Sequence, residues 1–220
     1  MMRYCTNVNN KGYTIQDMIT GNYSLMSECD LWRLVNSNKE LPRNLQIMNN
    51  GKIKIIKVPV VKFHNPNEIN GYLSNWAESP FNCNGINFTS GEQYMMFSKA
   101  MLFSDTDIAK KILEVQGTSS YSMGKIKDLG RQVRNFNESV WCANRENIMY
   151  TGLREKFLQN EQMRYNLIST GNVLIAECAV KDRIWGIGLS MNDNDVKDVT
   201  KWNGKNLLGI TLMRIRDSIK

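Results

Sequence analysis

The segment at residues 88–103 constrains the fold more than any other part of this chain. Thr89 is followed three residues later by Glu92, just ahead of an apolar run, and this pattern is typical of a capping box that begins a helix. Apolar side chains occupy nearly every direction around that helix, and helices of this kind are usually buried. The helix would therefore carry Glu92 and Lys99 into the interior, where ionised side chains need partners.

Glu92 and Lys99 lie two helical turns apart, roughly 10 Å along the axis, which is too far for the two side chains to pair well. Other charged or polar groups should therefore lie near each of them. A simpler alternative is that Glu92 only caps the helix while Lys99 extends to water, and the spacing alone favours this alternative.

Size and composition set the outer limits. The chain has 220 residues, of which 42% are hydrophobic, and this is enough for one well-cored domain with an appendage. No apolar run approaches the roughly 18 residues of a membrane span, and the first residues lack the apolar core of a signal peptide. These features predict a cytoplasmic protein.

The net charge of +7 and the pI near 9.1 favour anionic partners such as nucleotides, phosphosugars or nucleic acid. Lysines and arginines are spread along the chain without a basic block. A solvated surface explains this distribution better than a track for nucleic acid does.

Histidine and cysteine are too scarce for several kinds of chemistry. His64 is the only histidine, and the five cysteines are scattered without a close pair, so a zinc site has almost no ligands available. A Ser-His-Asp triad is nearly excluded for the same reason. Catalysis must use carboxylates, lysines or tyrosines, and we expect neither a metal nor another cofactor.

The pattern divides the chain into an accessory segment at residues 1–60 and a domain at residues 61–220. The accessory segment holds one short amphipathic candidate, Leu25–Val35. β-Branched residues at 53–63 predict one strand or two short ones, because Pro59 favours an edge or a break. Further strands are expected at residues 81–88 and 173–180. Helices are expected at residues 106–115, 119–129, 137–159, 161–169 and 207–219.

Two stretches place polar and aromatic groups at the ends of these elements. Asn75 and Trp76 lie in a loop just before the helix that carries Glu92. Asp182 and Trp185 follow the strand at 173–180, and Gly186 there permits close approach of a ligand to the backbone.

Two arginines are further candidates. Arg131 follows a helix end, where it either complements the helix dipole or binds a phosphate. Arg145 lies one turn after Trp141 and could reach an anion, although a surface salt bridge with Glu138 or Glu146 is the simpler explanation.

Several blocks in the right order together resemble the NADAR superfamily, which includes the YbiA-like N-glycosidases. The blocks are Leu73–Trp76, Thr89–Tyr94, Lys99–Ala100, Gly130–Arg131, Trp141 with Arg145, Lys156–Phe157, Asp182 with Trp185–Gly186, and Trp202–Gly209. The resemblance covers about residues 63–220, and the order of the blocks is more specific than any one of them.

The resemblance implies an α+β fold, compact and mostly helical, as a single domain with a few short strands. It also implies hydrolysis of the N-glycosidic bond between a phosphorylated ribose and a nitrogenous group. Family activities include breaking phosphoribosylamino-pyrimidine intermediates of riboflavin synthesis and removing ADP-ribose from guanine bases. Ile187 stands where some members have an acidic residue, so a role for that acid does not transfer.

By position, the resemblance assigns catalysis to Glu92, Asp182 and Lys99. An oxocarbenium-like transition state calls for a carboxylate, which we assign to Glu92, and for a second group, Asp182, to position ribose hydroxyls or activate water. Lys99 either anchors a phosphate or attacks the open-chain aldehyde as an amine, which would require a pKa lowered by burial. Both roles stay open. The substrate-binding candidates are Trp185, Asn75, Trp76, Tyr94, Arg131, Arg145 and Gly186.

Two other classes of protein remain alternatives. A non-catalytic sensor of ADP-ribose or a related nucleotide could use the same fold. A DNA-associated protein would instead depend on the positive charge, and its binding to duplex DNA would weaken strongly with salt. Among substrates, a free phosphoribosyl metabolite and an ADP-ribosylated base in nucleic acid remain equally open.

Overall fold

The computed structural model describes residues 60–198 and 201–219, together with the backbone of five short strands between residues 3 and 54. These residues contain six α-helices and nine short strands. The strands are β1 (Arg3–Asn9), β2 (Gly12–Asp17), β3 (Tyr23–Met26), β4 (Ile47–Asn49), β5 (Lys52–Lys54), β6 (Val60–Phe63), β7 (Phe81–Cys83), β8 (Ile86–Phe88) and β9 (Leu174–Glu177). The helices are α1 (Gly91–Leu102), α2 (Thr106–Leu113), α3 (Ser120–Arg131), α4 (Glu138–Gln159), α5 (Glu161–Ser169) and α6 (Leu207–Ser218).

The chain divides into two compact units. One comprises residues 1–62 with 170–213, and the other comprises residues 63–169 with 214–220. The first is called the strand unit below and the second the helix unit. Within the described residues, no helix has both the length and the apolar character needed to cross a membrane.

In the helix unit, α1 packs against α2, α3 and α4. Small residues allow the close approach, since a side-chain carbon on Gly130 would lie 2.0 Å from the Met96 sulfur, and one on Gly152 would lie 2.1 Å from the Tyr94 ring. The β7–β8 hairpin turns at Asn84 and Gly85, both with positive φ, as a tight two-residue turn requires. Its inward side chains Phe81, Cys83 and Phe88 form a hydrophobic cluster with Tyr94 of α1.

In the strand unit, β1, β2 and β3 form an antiparallel sheet in that order, and β4 pairs with β5. β6 pairs with β9. Asn206 ties the end of β9 to the start of α6, because its side chain accepts the Glu177 N–H at 3.1 Å and donates to the Ile175 carbonyl at 2.9 Å.

The expected α+β fold, mostly helical with short strands, is confirmed. The region at residues 53–63 contains two short strands, β5 and β6, and Pro59 lies outside the described residues. The predicted strand at 173–180 is shorter, since β9 ends at Glu177. Most of the predicted amphipathic segment Leu25–Val35 also lies outside the described residues, and its first two positions belong to β3.

Candidate active site

The cap of α1 differs by one residue from the predicted one. Ser90 is the N-cap, and its side-chain oxygen accepts the Gln93 N–H at 3.2 Å. The Gln93 side chain reaches back and accepts the Thr89 N–H at 2.8 Å. Gln93, not Glu92, is therefore the reciprocal member of the capping box, and the expectation that Thr89 and Glu92 form the box is wrong.

Glu92 is nevertheless buried, with 3% of its surface exposed. Its backbone N–H donates to the Asn75 carbonyl at 2.9 Å. The Asn75 side chain lies against the first residue of α1, because a side-chain carbon on Gly91 would be 3.2 Å from Asn75 Oδ1. That oxygen is buried and has no hydrogen-bond partner within the described part of the chain. The start of α1 thus holds a carboxylate and an amide side by side.

Lys156 on α4 fixes the same loop. Its Nζ donates to the Ser74 carbonyl at 2.9 Å, and its side chain is fully buried. Burial lowers the pKa of Lys156 to about 7. The loop before α1 is therefore held from one side by a helix N–H and from the other by a buried lysine.

Lys99 lies near the end of α1 in a partly open setting. Its Nζ donates to the Gly130 carbonyl at 2.8 Å and lies 4.3 Å from the centre of the Phe136 ring and 5.9 Å from that of Trp141. Burial lowers the pKa of Lys99, and the charge of Arg131 lowers it further, whereas Glu138 raises it. Burial thus shifts the pKa of Lys99 in the direction that an amine nucleophile requires.

Arg145 is buried, with 6% exposure, and its Nε has no hydrogen-bond partner among the described residues. In that part of the chain it forms no ion pair with Glu138 or Glu146, so the simpler explanation given above is wrong. Trp141 lies one turn earlier on the same face of α4, next to Lys99. A buried guanidinium with an unused N–H is suited to an anionic ligand.

Arg131 is in a different environment. Its side chain is 67% exposed and pairs with Asp128 at 2.5 Å on the same helix. The neighbouring Arg134 is structural, because it binds the nearly buried Asp105 at 2.6 Å and Asp107 at 2.7 Å. Of the two candidate phosphate ligands, Arg145 is the better placed.

Tyr94 and Trp76 have separate surroundings. The Tyr94 ring packs 5.1 Å from Phe88 and 5.9 Å from Phe81, and burial raises the pKa of Tyr94 to about 12. These contacts make Tyr94 a core residue. Trp76 instead lines a cleft of about 360 Å³, whose other walls include Tyr72, Glu78 and Ser119. A space of this size can hold a nucleoside.

In the strand unit, Asp182 organises a turn. Its Oδ1 accepts the N–H groups of Ile184 at 2.9 Å and Trp185 at 2.8 Å, while Oδ2 takes part in neither bond. Gly186 is closely packed, because a side-chain carbon there would lie 2.9 Å from the carbonyls of Asp182 and Glu177. Ile187, at the position of the missing acid, is fully buried in an apolar cluster.

In the helix unit, Glu92 and Asn75 meet at the start of α1, whereas Lys99 lies near Trp141, one turn before Arg145 on α4. Asp182, Trp185 and Gly186 belong to the strand unit. The described residues contain no group of three or more His, Cys, Asp or Glu side chains placed to hold a metal ion. Lys156 was not recognised as a candidate from the sequence. Its spacing from Met149 and Leu153 could have indicated it, since the three share the buried face of α4.

The fold class, a mostly helical α+β protein, is shared with a solved structure. The NMR structure of the Escherichia coli protein YbiA superposes with a TM-score of 0.58 at 24% identity, covering 80% of this chain and 90% of that one. The family model described as the NADAR domain matches residues 62–220. The chain belongs to the NADAR family.

Two curated relatives are also similar in sequence. An N-glycosidase of Acanthamoeba polyphaga mimivirus is 45% identical over 130 residues, which cover 59% of this chain and 74% of the viral protein. A riboflavin biosynthesis protein of Vibrio vulnificus is 28% identical over 166 residues, which cover 76% of this chain and only 40% of that protein.

Proposed function

We propose that this chain is an N-glycosidase that hydrolyses the bond between C1′ of a phosphorylated ribose and the nitrogen of a base. Membership of the NADAR family and the names of the relatives support this reaction class. The observation that carries the assignment of Glu92 is its burial at the start of α1 while Ser90 and Gln93 provide the cap. Buried carboxylates are frequent at catalytic sites, and this supports the assignment of Glu92.

Breaking the C1′–N bond leaves positive charge on the ribose, and the bonding electron pair departs with the base nitrogen, which takes up a proton. A water molecule supplies the oxygen that bonds to C1′, and its second proton is released. Glu92 stabilises the positive charge as it develops, and it does so more strongly in a buried site than in water. Asn75, beside it, binds a ribose hydroxyl through its buried Oδ1.

Lys99 acts as an amine in this proposal. Burial lowers the pKa of Lys99 and so favours a neutral nitrogen. This nitrogen attacks C1′ of the opened sugar, and the base nitrogen leaves with the bonding electron pair and takes up a proton. The water molecule described above hydrolyses the imine between Lys99 and C1′, which releases the phosphorylated ribose and regenerates Lys99.

Arg145 binds the phosphate in this proposal, because its guanidinium is buried and its Nε has no hydrogen-bond partner among the described residues. Arg131 contributes less, since Asp128 already pairs with its exposed guanidinium. Trp76 and Tyr72 stack on the base or on another ring of the substrate in the cleft that they line.

The substrate is either a phosphoribosylamino-pyrimidine or an ADP-ribosylated guanine. The relative named as a riboflavin biosynthesis protein favours the first. The excess of positive charge suits the second, because it is attached to an anionic polymer. A non-catalytic ADP-ribose sensor is the alternative from another class.

The test follows release of the base by mass spectrometry from both substrates, with wild type, Glu92→Gln and the exposed control Glu114→Gln. We expect wild type and Glu114→Gln to cleave one substrate, and Glu92→Gln to be slower by about 100-fold or more. If wild type cleaves neither substrate but still binds ADP-ribose, the sensor replaces the enzyme. Equal rates for Glu92→Gln and wild type would remove Glu92 from the mechanism.

A further inference from the structure

The surroundings of Lys156 do not explain why a lysine is buried at this position. Among the described residues it is the one lysine with a fully buried side chain. Burying an ammonium group is costly unless an anion or several acceptors compensate for the lost water. Lys156 has one neutral acceptor, the Ser74 carbonyl at 2.9 Å, and the ring of Phe157 at 5.3 Å.

No carboxylate in the described part of the chain offsets this cost. Lys156 takes part in none of the ion pairs there. Burial alone accounts for the lowering of its pKa to about 7, without any charged neighbour. A methionine of similar length would fill the same space without this penalty. Lysine at this position therefore makes the folded protein less stable than methionine would.

What the lysine does contact is the loop that leads into the candidate active site. Ser74, which accepts from Lys156, precedes Asn75 directly. The Asn75 carbonyl accepts the backbone N–H of Glu92, and its side chain lies against Gly91. One short path thus connects Lys156 through two consecutive carbonyl groups to the backbone N–H of Glu92, the residue whose carboxylate is proposed above as catalytic.

The two hydrogen bonds also fix the orientation of the Ser74–Asn75 segment. A peptide segment whose successive carbonyls are held by two different elements cannot rotate about its own axis. The donor on α4 holds the Ser74 carbonyl, which also accepts the Ala77 N–H at 3.2 Å, and the donor at the start of α1 holds the Asn75 carbonyl. The Asn75 amide is then kept at the start of α1, beside Glu92. Such preorganisation matters because a displacement of about 1 Å in a catalytic site can lower the rate by about 100-fold.

We propose that Lys156 is a positioning residue that holds the Ser74–Asn75 segment in the geometry needed for glycosidic cleavage. The inference rests on the proposed function, since it assigns Asn75 and Glu92 to the reaction. Lys156 touches no substrate in this proposal, and it acts through the orientation of Asn75.

The test is Lys156→Met, with the exposed Lys110→Met on α2 as the matched control. We expect Lys156→Met to lower kcat by about 10- to 100-fold, with KM changed much less, while its Tm equals or exceeds that of wild type. Lys110→Met should leave kcat and Tm unchanged. A lysine that only supported the fold would give the opposite pattern, a lower Tm with an unchanged kcat per folded molecule.

Two further measurements keep the test independent of turnover and of folding. Hydrogen exchange of the Glu92 amide should be faster in Lys156→Met, because its acceptor, the Asn75 carbonyl, belongs to a segment that Lys156 no longer holds. In a double-mutant cycle on kcat, Lys156→Met should add little to the loss of kcat caused by Asn75→Ala.

Three results would overturn the proposal. They are an unchanged kcat and an unchanged Glu92 amide in Lys156→Met, fully additive effects in the cycle, and a Lys156→Met variant that fails to fold. A wild-type protein that cleaves neither substrate would instead reject the proposed function, and the exchange measurement would still decide whether Lys156 fixes the loop.

Discussion

The two ends of the α1–α4 helix pair differ in how deeply their ionisable side chains are buried. The Glu92 end carries Glu92 and Lys156, and the Lys99 end carries Lys99. Gly91 at the start of α1 lies against Leu153 late in α4, whereas Lys99 late in α1 lies near Trp141 early in α4, so the helices run in opposite directions. At the Glu92 end, the ionisable groups Glu92 and Lys156 are almost completely buried. At the Lys99 end, the lysine is half-buried and its neighbour Phe136 is 41% exposed.

The difference in burial indicates that the two ends have different roles in the proposed reaction. The Glu92 end is rigid, because backbone hydrogen bonds and Lys156 fix its loop, and a rigid site is suited to stabilising a transition state. The Lys99 end has solvent access beside an aromatic ring, which is suited to an amine that must meet and release a sugar. Arg145 lies between the two ends along α4.

The largest expected effect that tests this difference between the two ends concerns Lys99. We expect Lys99→Arg to lose at least about 100-fold in kcat, because arginine keeps the positive charge but cannot form an imine. With substrate present, borohydride should reduce the imine and leave a sugar phosphate on Lys99, detectable by peptide mass spectrometry. A Lys99→Arg variant with nearly full activity and no trapped adduct would make Lys99 a phosphate anchor.

A smaller effect is expected from the arginines. Arg145→Met should raise KM for the phosphorylated substrate by about 10- to 100-fold, since hydrogen bonds to charged groups contribute about 1.5–3 kcal/mol. Arg131→Met, the exposed counterpart, should change KM by no more than about threefold, in keeping with the small contribution of surface pairs. Steady-state kinetics measures both. Equal effects of the two substitutions would remove the distinction between a buried and an exposed phosphate ligand.

The smallest effect is a pH dependence of stability at the Glu92 end. Burial lowers the pKa of Lys156 to about 7 in the folded protein, whereas an unfolded lysine keeps its proton up to about pH 10. Between these values only the unfolded state holds the proton, so raising the pH favours the folded state. Below about pH 7 both states are protonated and the dependence disappears.

Urea unfolding of wild type and Lys156→Met at pH 6 to 9 measures this dependence. The free energy of unfolding of wild type should rise relative to the variant above pH 7, by at most about 1.4 kcal/mol per pH unit. A difference between the two proteins that does not change with pH would mean that Lys156 is charged throughout this range.

Much of this arrangement could be predicted from the sequence. The α+β fold and the membership of the NADAR family are confirmed. The spans of α1 and α4 follow from local rules of capping and apolar spacing, which are properties of short segments. Burial of Glu92 was expected for the same reason, because α1 is apolar nearly all round.

What could not be predicted depends on contacts between distant segments. The N-cap is Ser90 and not the predicted Thr89, one residue earlier, and the sequence is compatible with both. Lys156 and Ser74 are 82 positions apart, so no local pattern indicates their hydrogen bond. Tyr94 was proposed to stack on a base, but a second aromatic layer from the β7–β8 hairpin encloses it. The roles of the individual site residues stay predictions.

The most direct test of the account is the rate of bond cleavage in a single turnover with saturating enzyme, compared between wild type and Glu92→Gln, with the Kd for ADP-ribose measured in parallel. The account predicts that Glu92→Gln slows cleavage by about 100-fold or more and leaves the Kd within about threefold, because the carboxylate acts on charge that develops only in the transition state. A cleavage rate that matches wild type, or a loss explained entirely by weaker binding, would contradict the claim that Glu92 is the catalytic carboxylate.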